Sequence, residues 1–127
     1  MKSMLPATIL VVDDNRGILS AAELLLRAHF RRVVTTHNPE RIRALIRDES
    51  PDVVLLDMNF HAGINSGNEG LFWLAEIRKL RPAPAVVLFT AYADIDLAVR
   101  GIKEGAADFI VKPWDNERLV HTLTEAY

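Results

Sequence analysis

The chain has 127 residues and a mass of 14.2 kDa, the size of one compact domain able to bury roughly two-thirds of its unfolded surface. Half of the residues are apolar and a quarter charged, with 15 basic against 17 acidic side chains for a formal net charge of −2; this excludes disordered and fibrous classes and leaves no basic run to act as a nucleic-acid footprint. There are no cysteines, which excludes disulfides, thiolate zinc sites, iron–sulfur clusters and cysteine nucleophiles.

Met1 to Pro6 carry one lysine and no apolar core, unlike a secretory signal, so a cytoplasmic location is expected. Ile9 to Val12 reads as a first strand, and a helical period follows over about Arg16 to Ala28. A second strand, Val33 to Thr36, leads to a helix over Pro39 to Glu49 with the clearest start signal. Asn38 can accept a bond from a free backbone N–H there, and Pro39 suits the first helical position. Val53 to Leu56 reads as the third strand, followed by a helix over Glu69 to Leu80. The fourth strand, Ala85 to Phe89, opens the longest nearly unbroken apolar stretch, nine residues ending at Ala93; a membrane helix needs about 20. Ile95 to Glu104 is a fourth helix that Asp94 can cap, with an apolar stripe of Ile95, Ala98, Val99 and Ile102 and with Leu97 off it. Gly101 inside that helix costs about 1 kcal/mol relative to alanine, which suits a moving part. Phe109 to Val111 is the fifth strand, and a last helix begins near Asn116. The end at Tyr127, inside that helix, reads as a boundary beyond which an output domain is expected.

Strands that alternate with helices, and that are continuously apolar, predict an α/β fold whose parallel sheet is covered on both faces. One domain over residues 1–127 is expected, with its core starting at residue 7. In such sheets ligands bind beyond the carboxyl ends of the strands. The first strand stops at Asp13 and Asp14, the third at Asp57, the fourth at Thr90 and the fifth at Lys112. Taken singly, each has an ordinary reading: a turn or cap aspartate, a strand threonine, a solvated lysine. Taken together, three converging carboxylates repel one another unless a cation intervenes, and oxygen-only ligands suit Mg²⁺ or Mn²⁺. A cation, the Lys112 ammonium and the Thr90 hydroxyl around a carboxylate make a receptacle for a phosphoryl group bonded to that carboxylate.

Other motifs carry less. Gly63, Gly67 and Gly70 have the wrong spacing for a dinucleotide fingerprint and read as a flexible loop, and no GxxxxGK[ST] occurs. His29, His37, His61 and His121 are scattered without metal-ligand spacing, so none is assigned chemistry.

The runs ILVVDDN at Ile9 to Asn15, VVLLDMN at Val53 to Asn59, LFTAY at Leu88 to Tyr92 and EGAADFIVKPW at Glu104 to Trp114 resemble the CheY-like receiver domain of two-component response regulators, in order and across almost the whole chain. The resemblance implies a flavodoxin-like three-layer sandwich with a five-stranded sheet of order 2-1-3-4-5, five helices and a cis bond between Lys112 and Pro113. It implies that Asp57 accepts a phosphoryl group from a phosphohistidine on a sensor histidine kinase. Asp14 would then bind Mg²⁺ directly, Asp13 chiefly through water, and Asn59 through its backbone carbonyl. Thr90 and Lys112 would hold phosphoryl oxygens; Asn59 and Tyr92 would flank the approach of water, with Tyr92 slowing hydrolysis. Switching would couple Thr90 to an inward turn of Phe109, and the fourth helix, fifth strand and fifth helix would form the changed face, with Leu97 a candidate contact in a homodimer or with the output domain.

The segment after Asp57 departs from the usual pattern. His61 stands where receivers carry proline, and Glu69 and Gly70 arrive about five residues late, so that DMNFHAGINSGNEGLFWL resembles the subgroup attached to sigma-54-dependent transcription activators. That subgroup implies a transcriptional output, with a sigma-54-type ATPase as the output domain and the extended segment as a lid or dimer contact. Two rival readings are an aspartate phosphatase of the haloacid-dehalogenase type and a receiver-fold interaction module that is not phosphorylated. The phosphatase class shows D-x-D at its first strand, whereas Asp13 and Asp14 are adjacent.

Overall fold

A computed structural model describes residues 4–58 and 68–127. Asn59, His61, Gly63 and Gly67, and with them most of the extended segment, lie outside the described residues. Five parallel strands, β1 (Leu5–Val12), β2 (Phe30–Thr36), β3 (Val53–Asp57), β4 (Ala85–Ala91) and β5 (Asp108–Lys112), form one sheet in the order β2-β1-β3-β4-β5. Five α-helices connect or follow them: α1 (Arg16–Arg27), α2 (Ile42–Glu49), α3 (Asn68–Arg78), α4 (Ile95–Lys103) and α5 (Asn116–Ala126). The expected fold class and strand order therefore hold. The strands run one to four residues beyond the apolar runs, because ladder bonds continue wherever a neighbouring strand offers partners, whatever the side chains.

The sheet divides the core in two. On one side Ile9, Val11, Val53, Leu55, Val87, Phe89 and Ile110 pack with Leu19 and Leu26 of α1 and Leu119 and Leu123 of α5. On the other, Leu10, Val12, Val54, Leu56, Val86 and Leu88 pack with Leu45 of α2 and Leu74 and Ile77 of α3. Successive side chains of a strand point to opposite faces, so one β4 segment feeds both cores. Burial on both faces explains why the strand sequences are continuously apolar.

Among the described residues, three helix starts are capped by side chains. The Asn15 carboxamide oxygen accepts from Ile18 N at 3.1 Å and the Asp115 carboxylate from Arg118 N at 2.9 Å. Asn38 accepts from Glu40 N at 3.0 Å, as its position before Pro39 predicts, but the turn it opens, Pro39–Arg41, is a 3₁₀ turn leading into α2. Asp94 occupies the N-cap position of α4, yet its side chain makes no capping bond there; a 3₁₀ turn over Tyr92–Asp94 already leads the chain into the helix.

The loop reading of Gly70 needs correction, and Gly101 has a packing role that the sequence did not show. Gly70 is buried inside α3, where a Cβ would lie 2.6 Å from Met58 Cα, so it permits close helix–strand contact and belongs to no loop. Gly101 likewise lets α4 sit directly on Leu88, whose Cδ1 a Cβ would overlap. That contact also corrects the face of α4. Ala98 and Gly101 are buried and Leu97 packs against the α2–α3 core, while Val99 and Ile102 are exposed. The helix turns its smallest side chains to the sheet because close approach admits nothing larger.

Candidate functional site

The carboxyl ends of β1, β3 and β5 deliver their polar residues to one pocket. Asp13 follows β1 and donates its backbone N–H to Thr36 O of β2 at 3.2 Å, which fixes the chain where it leaves the sheet. Its Oδ1 accepts the backbone N–H of Asn15 at 2.9 Å, so one side-chain oxygen turns the chain into α1. Asp57, the last residue of β3, and Asp13 are both essentially without solvent exposure, at 1% and 0%. Asp14 is half-buried beside them, and each of the three aspartates offers a carboxylate oxygen within 4.8 Å of the others.

Lys112 ends β5 and reaches across the pocket. Its Nζ donates to Asp13 Oδ2 at 2.8 Å and to Asp57 Oδ1 at 2.9 Å. Burial, the largest single influence, pulls the Lys112 pKa down, but the charge of Asp57 and the bonds to Asp13 and Asp57 together raise it above the ordinary lysine value. The ammonium is thus held charged between two carboxylates. Breaking such a buried arrangement by removing one partner is costly, because the other is left in a poor solvent. The Lys112–Pro113 peptide bond is cis, as the resemblance implies, and so is Arg81–Pro82.

Thr90 is fully buried on β4, and its hydroxyl Oγ1 lies 3.3 Å from the carbonyl oxygens of Ala91 and Asp94. It therefore bonds toward the start of α4. Phe109 is half-buried against the α2–α3 core, opposite Leu88 in the β4–β5 register. Tyr92 is 77% exposed, so its ring stands mostly in solvent. The structure brings Asp13, Asp14, Asp57 and Lys112 together, and Asn59 lies outside the described residues.

Two aromatic neighbours escaped the sequence reading. Phe89 is fully buried with its ring centroid 4.9 Å from Lys112 Nζ, and Trp114 packs on the same ring at 5.3 Å. Their signal was an aromatic on either side of the polar landmarks, one just before Thr90 and one two residues after Lys112. Phe89 does not stand out inside its apolar run, and Trp114 follows Pro113 with nothing in the sequence to link it to Phe89.

Among the described residues, three carboxyl groups gather against one ammonium with oxygen atoms as the anionic donors, a set that fits a hard divalent cation better than zinc. Residues 9–124 match the response regulator receiver domain. The chain belongs to this family. It is 58% identical to the N-terminal signal receiver domain of a two-component system response regulator from Bacteroides fragilis, with a TM-score of 0.87 over 95% of this chain and 96% of that one. It is 33% identical to the receiver domain of NtrX from Brucella abortus, with a TM-score of 0.83 over 93% of this chain and 96% of that one. Transcriptional regulatory protein ZraR of Klebsiella oxytoca is 35% identical over 118 residues, 93% of this chain but 26% of that protein. The receiver chain thus spans about a quarter of the length of the curated relatives it matches. Those relatives are transcriptional regulators, the class to which the extended segment after Asp57 pointed. Among the described residues, no helix is long and apolar enough to cross a membrane.

Proposed function

We propose that Asp57 is the phosphoacceptor of this receiver and takes its phosphoryl group from a phosphohistidine on a sensor histidine kinase in the cytoplasm. The observation that carries the reading is the Lys112 ammonium bridging Asp13 and Asp57 within a cluster of three aspartates. Mg²⁺, or Mn²⁺ in its place, would be held by Asp13, Asp14, Asp57 and the Asn59 carbonyl, and when bound it supplies positive charge to the phosphoryl oxygens. An Asp57 oxygen bonds to phosphorus as the P–N bond of the donor breaks, and the electron pair leaves on the imidazole nitrogen, which takes up a proton. Lys112 exchanges its Asp57 contact for a phosphoryl oxygen and neutralises charge as it spreads. Water attack on phosphorus later breaks the bond to Asp57, releasing inorganic phosphate and restoring the carboxylate. Asn59 and Tyr92 flank that water, and Tyr92 slows it.

Thr90 turns its hydroxyl to a phosphoryl oxygen, giving up its contacts with Ala91 and Asp94, and Phe109 turns inward. The altered face of α4, β5 and α5 then signals to a transcriptional output domain of the sigma-54-type ATPase class, through a homodimer or directly. Residues 1–127 form the receiver unit. Incubation with acetyl phosphate and Mg²⁺ followed by intact mass tests the reading. The wild type is expected to gain one phosphoryl group and Asp57→Asn none; an unlabelled wild type, or a labelled Asp57→Asn, overturns it.

A further inference from the structure

We propose that the Phe89 ring, braced by Trp114, is the positioning element for the Lys112 ammonium, and that its electron-rich face governs how fast Asp57 accepts a phosphoryl group. The inference rests on the reading of Asp57 as phosphoacceptor. An ammonium has three donors, and Lys112 directs two of them to Asp13 Oδ2 and Asp57 Oδ1. The same nitrogen lies 4.9 Å from the Phe89 ring centroid, inside the range of about 6 Å over which a ring face attracts a cation.

The ring is held from two directions. Its strand residue is the register partner of Asp57, and its carbonyl accepts the backbone N–H of Met58 at 2.9 Å, so one ladder positions both ring and phosphoacceptor. Trp114 packs against it at 5.3 Å with planes tilted by 51°. The indole Nε1–H donates to Asn116 Oδ1 at 2.9 Å, tying that brace to the first residue of α5. Trp114 also stands two residues from Lys112, so brace and ammonium move on the same short piece of chain.

The chemistry gives this ring a task that an aliphatic side chain would not perform. When Asp57 becomes an acyl phosphate, Lys112 loses one of its anionic partners and must slide toward a phosphoryl oxygen while it keeps Asp13. A hydrogen bond is lost by such a slide, since it weakens steeply with angle. Attraction to a ring quadrupole is broad in direction and survives it. Phe89 thus matters most while Lys112 is giving up its Asp57 contact and has not yet gained a phosphoryl oxygen, in a surrounding core of Leu, Ile and Val that could have filled the same space.

Graded fluorination of Phe89 separates charge from bulk, because 4-fluoro-, 3,5-difluoro- and 3,4,5-trifluorophenylalanine weaken the ring face while nearly preserving its shape. The rate of labelling by acetyl phosphate at saturating Mg²⁺ should fall stepwise along the series, by about fivefold at the third member and about tenfold for Phe89→Leu, the size of a buried cation–π contact expressed as a rate. The Mg²⁺ concentration for half-maximal labelling and the thermal midpoints of the fluorinated proteins should stay unchanged. Equal rates along the series with a labelled wild type would overturn this inference alone, as would a decline that tracks lost thermal stability. A wild type that gains no phosphoryl group overturns this inference together with the phosphoacceptor reading.

Discussion

On the face of the sheet covered by α1 and α5, the strand positions of Asp57, Phe89 and Lys112 continue the pattern of Leu55, Val87 and Ile110. On the face covered by α2, α3 and α4, Thr90 continues the pattern of Leu88, and Phe109 packs into that core. The first face carries the carboxylate and the ammonium that meet in the pocket; the second carries the hydroxyl that bonds toward the start of α4. Phe89 and Thr90 are sequence neighbours, so the distance between the two faces is one peptide unit of β4. Period-two alternation lets a single strand serve two environments with no added structure.

Substitutions can break this division, and the largest effect is expected on the first face. Lys112→Met should slow labelling by acetyl phosphate about 10²-fold, the scale for removing one preorganised charge partner. It should also lower thermal stability without divalent ions, since Asp13 and Asp57 lose their shared cation, and added Mg²⁺ should restore part of the loss; calorimetry with and without Mg²⁺ checks both. The sign of the pH dependence follows from the raised Lys112 pKa. Its stabilisation is complete below the ordinary lysine value and is lost as pH rises through the higher folded value. Urea unfolding of wild type and Lys112→Met should therefore converge only at strongly alkaline pH.

On the second face the expected effects are on packing. Leu88→Ala removes a fully buried side chain between β4 and Gly101 and should cost about 2–5 kcal/mol in denaturant unfolding, while the folded fraction still labels at Asp57. A labelling rate that falls in proportion to stability would show that the two faces are not separable. The smallest effect sharpens the comparison at its edge. Asn15→Ala removes the α1 cap and should cost about 1 kcal/mol, with little change in labelling, because the Asn15 backbone N–H still reaches Asp13.

The pocket was readable in the sequence because its residues interrupt apolar runs: Asp13, Asp57 and Lys112 are conspicuous where a strand stops. The strand order was not readable from periodicity and came from the family resemblance, since alternation of strands and helices fixes no neighbour. The inward face of α4 was misread for a physical reason. Leu97, Val99 and Ile102 are all apolar, and the choice among them is made by the absent side chain of Gly101 against Leu88, a contact between residues on different elements. Phe89 stayed hidden because an aromatic in a buried strand looks like filling until a cation is found over its face.

The seat of α4 on Leu88 is off centre. Six helical residues precede Gly101 and two follow it, arms of about 9 Å and 3 Å at the usual rise per residue. Any tilt about that fulcrum sweeps the end beside Asp94 about three times as far as the end beside Glu104, so a small displacement at the carbonyl that faces Thr90 meets the long arm of a lever. The geometry gives mechanical advantage to the end of the helix nearest the pocket.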